Sequence, residues 1–510
     1  MTQTKAAHRS FAGLRKDAGA VETGRSPVGA DVKLAWAGRS FEPGAFKHAG
    51  ANSESPFVVE ERAAEEGVLP LDPSVRIIRG DALSIAQGLH TEGLSGQVDL
   101  VYVDPPYASE RSWALEARLD GPADGRVRRH VAYDDKLETS AYLEMLAPRL
   151  DALASLLAPT ATIWVHLDWR SAYLVRVVLD EILGREAFLN EIVWRRAPNL
   201  GRQAASQQFG RTLDTILVYG ARDGSKGGRG TRAVLVPPTR LEPIDAAAIR
   251  WDGPPEQGGR PFTTAPRGDY TDASIARLEA EGRVHRTPSG KVYIKYFLVK
   301  DEGGRWCRER RVDALWTDVP PLRHAPVGER TGFPTQKPRA LLDRIIGCAT
   351  KQGGLVVDLF AGSGTTGEAA HALGRRAILG DAGDVGIATA RARLLRAGAR
   401  LSLERCDGAA PAVGGEMRVA CEPLDAARLR VTLLEPDEPL AWAVDPAPRE
   451  GRPFSSVRHS ERVPGAKSRP VARELVIPRA SEPDAPIAVR VFTDEGAVAT
   501  QTFSPRRPRA

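Results

Sequence analysis

Asp104, Pro105, Pro106 and Tyr107 end an apolar, β-branched run that begins at Val98. The run reads as a buried strand. Two successive prolines cannot donate to a sheet ladder, so the strand stops at Asp104. A carboxylate, two rigid carbonyls and an aromatic ring then stand just past a strand's carboxyl end, where open α/β sheets bind ligands. The group suits one problem in nucleobase chemistry. An exocyclic amine has its lone pair delocalised into the ring and is a poor nucleophile. Two acceptors aimed at its two protons, the Asp104 carboxylate and the Pro105 carbonyl, would bend the nitrogen toward tetrahedral geometry and free that pair. Tyr107 offers a flat face to an extruded base, worth about 1–3 kcal/mol, against an extrusion cost of roughly a few kcal/mol. No general base is required, because the proton leaves a nitrogen already made cationic. The same residues are also good turn chemistry at a strand end, so the tetrad alone leaves both readings open.

A second constellation lies far along the chain. The strand-like run Gly354–Phe360 enters the turn Ala361-Gly362-Ser363-Gly364-Thr365-Thr366-Gly367, and Asp381 closes the next strand. Gly362-x-Gly364-x-x-Gly367 matches the dinucleotide fingerprint, with Asp381 near the distance expected of a ribose-binding acid. A nicotinamide-dependent oxidoreductase is therefore one reading. A phosphate-cradling P-loop is not, since no lysine follows the last glycine. S-adenosylmethionine also carries an adenosine and suits the same crevice. Three details favour it: Asp358 inside the strand end can face a cation, Phe360 lies just ahead of the turn, and a hydride-transfer enzyme has no use for the Asp104 tetrad.

The elements that must hold these residues follow from periodicity. Residues 1–70 read as a partly disordered arm. Over 71–220, short strands at Val75–Ile78, Val98–Asp104, Thr160–Asp168, Phe188–Trp194 and Leu213–Tyr219 alternate with amphipathic helices, one of them kinked at Pro148. Such alternation means βαβ units and a mostly parallel sheet. Residues 108–135 read as a long polar loop of functional length. His166, inside a strand, reads as a satisfied core histidine. Residues 221–334, rich in Gly, Pro, Arg and aromatics, read as an inserted domain, either DNA-reading or merely solvated. Regular α/β structure resumes over 335–400, and 401–510 reads as an appended β-rich domain.

Composition sets bounds. The chain has 510 residues, 42% hydrophobic and 27% charged, with a net charge of +6, which suits about two to four globular domains. A basic, Arg-rich balance permits nucleic-acid binding without proving it. The four cysteines have no metal-ligand or disulfide-framework spacing, and no metal is expected. No signal peptide or bilayer-spanning run is visible, so a cytoplasmic, nucleoid-associated protein without membrane contact is the expectation.

Taken in order, these motifs resemble the amino-group DNA methyltransferases of the permuted β class, including modification subunits of type III restriction systems. The resemblance rests on Asp104–Tyr107 first, then 221–334, then Thr335-x-Lys337-Pro338 with Phe360-x-Gly362-x-Gly364, and covers about 75–400. Val165–Trp169, Leu179–Gly184 and Asn190–Trp194 add to it. It implies a Rossmann-like, circularly permuted, seven-stranded sheet with an inserted target-recognition domain. It implies methyl transfer from S-adenosyl-L-methionine to an exocyclic amine in double-stranded DNA. Catalysis would fall to Asp104, Pro105, Pro106 and Tyr107. The cofactor pocket would comprise Asp358, Phe360, Gly362, Gly364, Thr365 and Asp381, with Lys337 nearby and Asp81 approaching the adenine. The acidic tetrad favours adenine N6, with N4-cytosine the alternative. A non-catalytic recognition subunit is a further reading, against which the intact tetrad argues. A homodimer and a restriction-subunit partner are both compatible. The chain departs from the family after Asp381, where Ala382-Gly383-Asp384 replaces the common Asn/Asp-Pro and aromatic.

Overall fold

A computed structural model describes residues 34–44, 55–64, 73–107, 111–118, 127–198, 207–222, 231–233, 235–406, 408, 417–425, 427–436, 439–461, 471–479, 485–493 and 497–504. The first half contains β1 (Phe57–Ala63), β2 (Val75–Arg79), α1 (Ala82–Thr91), β3 (Val98–Val103), β4 (Arg111–Arg118), β5 (Val127–Asp135), α2 (Thr139–Ser155), β6 (Leu157–Leu167), α3 (Ala172–Leu183), β7 (Phe188–Arg195) and β8 (Leu213–Gly220). An insertion follows, with β9 (Thr239–Pro243), β10 (Arg250–Trp251), β11 (Pro261–Pro266), α4 (Asp272–Ala280), β12 (Val284–Arg286), β13 (Val292–Lys300) and β14 (Trp306–Arg311). These strands make their own six-stranded sheet, with Ile275 and Leu278 of α4 packed on Ile294 of β13. The chain returns through β15 (Leu315–Trp316) to α5 (Arg339–Ala349), β16 (Leu355–Asp358), α6 (Thr365–Ala372), β17 (Arg376–Asp381), α7 (Asp384–Arg396) and β18 (Leu401–Cys406).

One sheet organises the molecule, in the order β15-β7-β8-β6-β3-β16-β17-β2-β18-β1, closed by β22 (Phe454–Ser456). The run from β7 to β2 is a seven-stranded core, parallel except for β8. β15 extends one edge, and β18, β1 and β22 extend the other. β3 shows why the centre is buried on both faces. Val101 and Val103 point into the layer of α1, α2 and α3, whereas Leu100 and Tyr102 point into the layer of α5, α6 and α7, the period-two alternation of a strand.

The neighbours β3 and β16 leave the centre in opposite directions. β3 connects through α2 to β6, and β16 connects through α6 to β17. This reversal opens a crevice at the carboxyl ends of both strands. It brings Asp104 and the glycine turn together from positions more than two hundred residues apart.

Several expectations change. Within 1–70, read as a partly disordered arm, β1 joins the main sheet, pairing antiparallel with β18 and parallel with β22, and Phe41 is buried. Residues 1–33, 45–54 and 65–70 lie outside those described. The region 108–135 holds the antiparallel hairpin β4–β5 rather than a plain loop. β18 and β22 belong to the main sheet although both lie beyond residue 400. The remaining β19 (Arg418–Pro423), β20 (Arg428–Glu435), β21 (Ala441–Asp445), β23 (Arg458–Glu461), β24 (Glu474–Pro478), β25 (Ile487–Phe492) and β26 (Val498–Phe503) form two small sheets around Trp442, Val431 and Val489.

Candidate active site

Asp104 continues the parity of Leu100 and Tyr102 and so faces the α5 side of the sheet. There the Lys337 ammonium, just ahead of α5, pairs with its Oδ2. The Tyr107 hydroxyl donates to Oδ1 at 2.5 Å. Both carboxylate oxygens are thus oriented, and each keeps a further lone pair for another donor. The ammonium also lies 5.3 Å from the centre of the Tyr107 ring. Burial, and Asp104 beside it, push the Tyr107 phenol well above its usual range. It is therefore a donor here, not a base.

Behind Tyr107 runs a buried chain. His166 Nδ1 lies 2.9 Å from the Tyr102 hydroxyl, and Nε2 lies 3.2 Å from Asp214 Oδ2. A carboxylate only accepts, so Nε2 donates to Asp214, and the Tyr102 hydroxyl is the partner at Nδ1. Burial would raise the Asp214 carboxyl, but the hydrogen bond and charge of His166, with Arg196, hold it below the usual range. The His166 ring rests against Tyr107 at 6.3 Å and on the edge of Trp194 at 5.7 Å. As expected, it is a satisfied core histidine. Its contacts fix the wall on which Tyr107 stands.

The glycine turn is shaped by close approach. Gly364 has φ +76°, and a Cβ there would lie 2.8 Å from Ala390. Gly362 has φ +49° and lies under the Phe333 ring, 3.0 Å from where a Cβ would stand. Asp381 ties the turn down: its oxygens accept from the Gly362 amide at 2.8 Å and the Gly383 amide at 2.7 Å. Asp358 accepts from the Phe360 amide at 3.0 Å and the Thr366 hydroxyl at 2.5 Å. Burial, with Asp104 and Asp381 nearby, pushes the Asp358 carboxyl up to about 7 despite those two donors. Thr335 is the one non-glycine residue with positive φ (62°) among those described. Such backbone persists where its surroundings hold it. The neighbouring Gln336 side chain supplies three bonds, accepting from the Thr331 amide and hydroxyl and donating to the Glu329 carbonyl.

A cavity of about 440 Å³ joins the two constellations. Asp104, Pro106 and Lys337 line it together with Asp358, Phe360, Gly362 and Asp381. Asp81 and Thr365 also line it. Asp81 is less available than expected, since it caps α1 through the Leu83 amide at 2.9 Å and pairs with Arg149 at 2.5 Å. Pro105 is buried behind this wall, Tyr107 faces away from this cavity, and Gly364 packs on α7 without lining it. Sequence reasoning missed Arg149, Phe333 and Gln336. Only Gln336 carried a local signal, inside Thr335-Gln336-Lys337-Pro338.

Comparison with known proteins identifies the class. The profile of the N6/N4 DNA methylase family matches residues 98–388, and the chain belongs to that family, whose methyl donor is S-adenosyl-L-methionine. Among its relatives is the type II methyltransferase M.EcaI of Enterobacter cloacae, 28% identical over 377 residues that span 70% of this chain and 76% of that protein. The type III StyLTI Mod subunit of Salmonella typhimurium is 26% identical over 58% of this chain, a match that spans 49% of its own length. A solved structure, the DNA modification methylase TTHA0409 of Thermus thermophilus complexed with S-adenosyl-L-methionine, aligns with 65% of this chain and 99% of its own at 16% identity and a TM-score of 0.35. Membership supersedes the oxidoreductase reading of the glycine spacing. Among the described residues no helix is long and apolar enough to cross a membrane.

The residues present fit this donor. A sulfonium is cationic, and the cavity holds Asp358 and Asp381, neither of which makes an ion pair among the described residues. Asp381 keeps one lone pair on each oxygen for a ribose diol. A binding consequence follows. A cationic ligand favours ionised Asp358, so affinity for S-adenosylmethionine should rise with pH, by at most about tenfold per unit, and level off above about 7. Asp358→Asn should flatten that profile in calorimetry. The sign for stability is opposite. Because this carboxyl sits at about 7 against 3.8 for the unperturbed group, its contribution to the unliganded fold is present below 3.8 and lost as pH rises through 7.

Proposed function

We propose that the chain is a site-specific DNA methyltransferase acting on adenine N6. The observation that carries this reading is that one cavity is lined by both the Asp104 carboxylate and the Asp381–glycine turn. Asp104 and the Pro105 carbonyl accept the two protons of the amine and localise its lone pair. Lys337 and Tyr107 hold the carboxylate in position while it does so. Asp381 and the Gly362 turn would hold the ribose, Phe360 and Phe333 would flank the adenosine, and Asp358 would face the charged sulfur. When bound, S-adenosylmethionine supplies a methyl carbon whose C–S electron pair departs with a neutral thioether as the N–C bond forms. The surplus amine proton then leaves past Asp104 to solvent.

Tyr107 separates two contributions of its own. Tyr107→Phe keeps the stacking face and loses only the bond to Asp104, so DNA affinity should hold while turnover drops. Tyr107→Ala should also weaken binding of the extruded base by about 1–3 kcal/mol. Binding titrations with single-turnover rates would separate the two; equal behaviour of both variants would exclude a stacking role.

Modification-sensitive sequencing of DNA from cells expressing the chain tests the target. N6-methyladenine in a fixed context supports the reading. N4-methylcytosine moves the chain to the other branch of its family, on the same two acceptors. The type III Mod relative makes a restriction subunit a further partner to look for by co-purification, and a homodimer is testable in the same preparation.

A further inference from the structure

A second cavity, of about 480 Å³, opens on the other side of Tyr107 and Lys337. The mechanism above leaves most of its wall unused. Trp169, at the carboxyl end of β6, stands in that wall with 47% of its surface exposed. Two guanidiniums cover its ring: Arg211 at 3.9 Å and Arg170 at 5.1 Å. Both also line the cavity. Their neighbours are paired, Arg170 with Asp168 and Arg196 with Asp214 at 2.7 Å. Arg211 makes no ion pair among the described residues, although it is already held in place by the indole. Phe209, fully exposed, and Leu213, 46% exposed, lie on the same approach to β8. Even with both guanidiniums against it, the indole keeps 47% of its surface exposed, apolar area that a further flat group would cover. A stacked, unpaired arginine beside it offers charge to whatever does.

We propose that Trp169 and Arg211 form a platform for the DNA strand flanking the extruded base. Trp169 would stack on the base that lost its neighbour, and Arg211 would hold an adjacent phosphate. The inference rests on the reading of the chain as a methyltransferase that extrudes its target. It adds that the catalytic half grips the opened strand itself, without reading its sequence. Aromatic faces beside basic side chains are how unpaired strands are held regardless of sequence, and each phosphate contact releases counterions.

The test uses the full chain, a duplex carrying the methylated context found by sequencing, and the variants Trp169→Ala, Arg211→Ala and Arg211→Lys. Trp169→Ala and Arg211→Ala should each raise the DNA dissociation constant and KM, Trp169→Ala by roughly 5- to 100-fold. Rates at saturating DNA, the methylated context and S-adenosylmethionine affinity should stay as in the wild type. Arg211→Ala should also reduce the slope of log K against log salt by about 0.9. Arg211→Lys should restore that slope, and Trp169→Ala should leave it unchanged. Wild-type affinity and slope in the alanine variants overturn the inference while leaving the methyltransferase reading intact. So does a changed methylation context, which would mean base readout, or lost cofactor affinity, which would mean a structural role. A wild type that neither binds nor methylates DNA overturns the reading beneath it.

Discussion

Asp104→Ala should lower methyl transfer by at least about 100-fold, the usual scale for removing one preorganised hydrogen-bonding group from the reacting centre. The loss has three sources. One of the two acceptors for the amine disappears. The Lys337 ammonium, paired with Asp104 in the wild type, is left beside the target with no carboxylate and repels a nitrogen that is becoming cationic. The Tyr107 hydroxyl loses its acceptor, so the ring is free to turn. Asp104 acts on the amine as it changes shape, so the effect should fall on kcat and not on DNA affinity. Asp104→Asn keeps one carbonyl acceptor but cannot neutralise Lys337, and should recover part of the rate. Single-turnover methylation beside a DNA-binding titration checks the pair. A full rate in Asp104→Ala would falsify the mechanism.

The second large effect is on folding. Arg391 on α7 is buried against carboxylates from two distant segments. It donates to both oxygens of Glu61 on β1, at 3.0 and 2.6 Å, and to Glu461 on β23 at 2.8 Å. Its guanidinium also lies 4.1 Å from the centre of the Phe492 ring. One side chain thus ties the cofactor-binding half to the amino-terminal strand and the carboxyl-terminal region. Burial pushes the Glu461 carboxyl up to about 7, whereas Arg391 and Arg490 overcome burial to hold Glu61 below its usual range.

Removing the guanidinium strands Glu461 and leaves Glu61 with Arg490 at 3.7 Å as its cation, and breaking a buried pair in this way costs about 3–5 kcal/mol. Arg391→Met should therefore lower stability by that amount in denaturant titration. Adding Glu61→Gln and Glu461→Gln to Arg391→Met should recover much of it, because the penalty lies in buried charge and not in lost volume. If the triple variant is no more stable than Arg391→Met, lost packing is the cause instead. The linkage signs differ between the acids. The Glu61 contribution is present above 4.5 and lost as pH falls through its lowered value, whereas that of Glu461 is lost as pH rises through about 7.

The local motifs were readable because each is complete within a few residues. Prolines after a β-branched run mark a strand end whatever the strand packs against. Glycines at Gly362 and Gly364 mark a turn that must accept positive φ and a close neighbour, and Asp381 ends the next apolar run. Strand and helix periods were equally local, so the order of elements and the parallel centre of the sheet could be read without coordinates. The edges could not. Three of the seven residues of β1 are charged, and it borders a polar region, so its pairing with β18 has no local mark. The hairpin β4–β5 lies in a stretch whose polarity looks like that of a loop.

Family resemblance put Lys337 near the site, but not on Asp104. That ion pair spans 233 residues, and nothing in the spacing of either motif says which lysine meets which acid. The same holds for Arg149 on Asp81, Arg391 on Glu61 and the Tyr102–His166–Asp214 chain. What the residues settle locally is where the backbone must stop, turn or bury itself, because those are steric and hydrophobic demands felt over a few ångströms of chain. Which charges neutralise one another, and which wall of a cavity they form, is decided only when the sheet brings β3 beside β16. A buried charge takes the partner that folding places within reach, and sequence distance has no bearing on that choice.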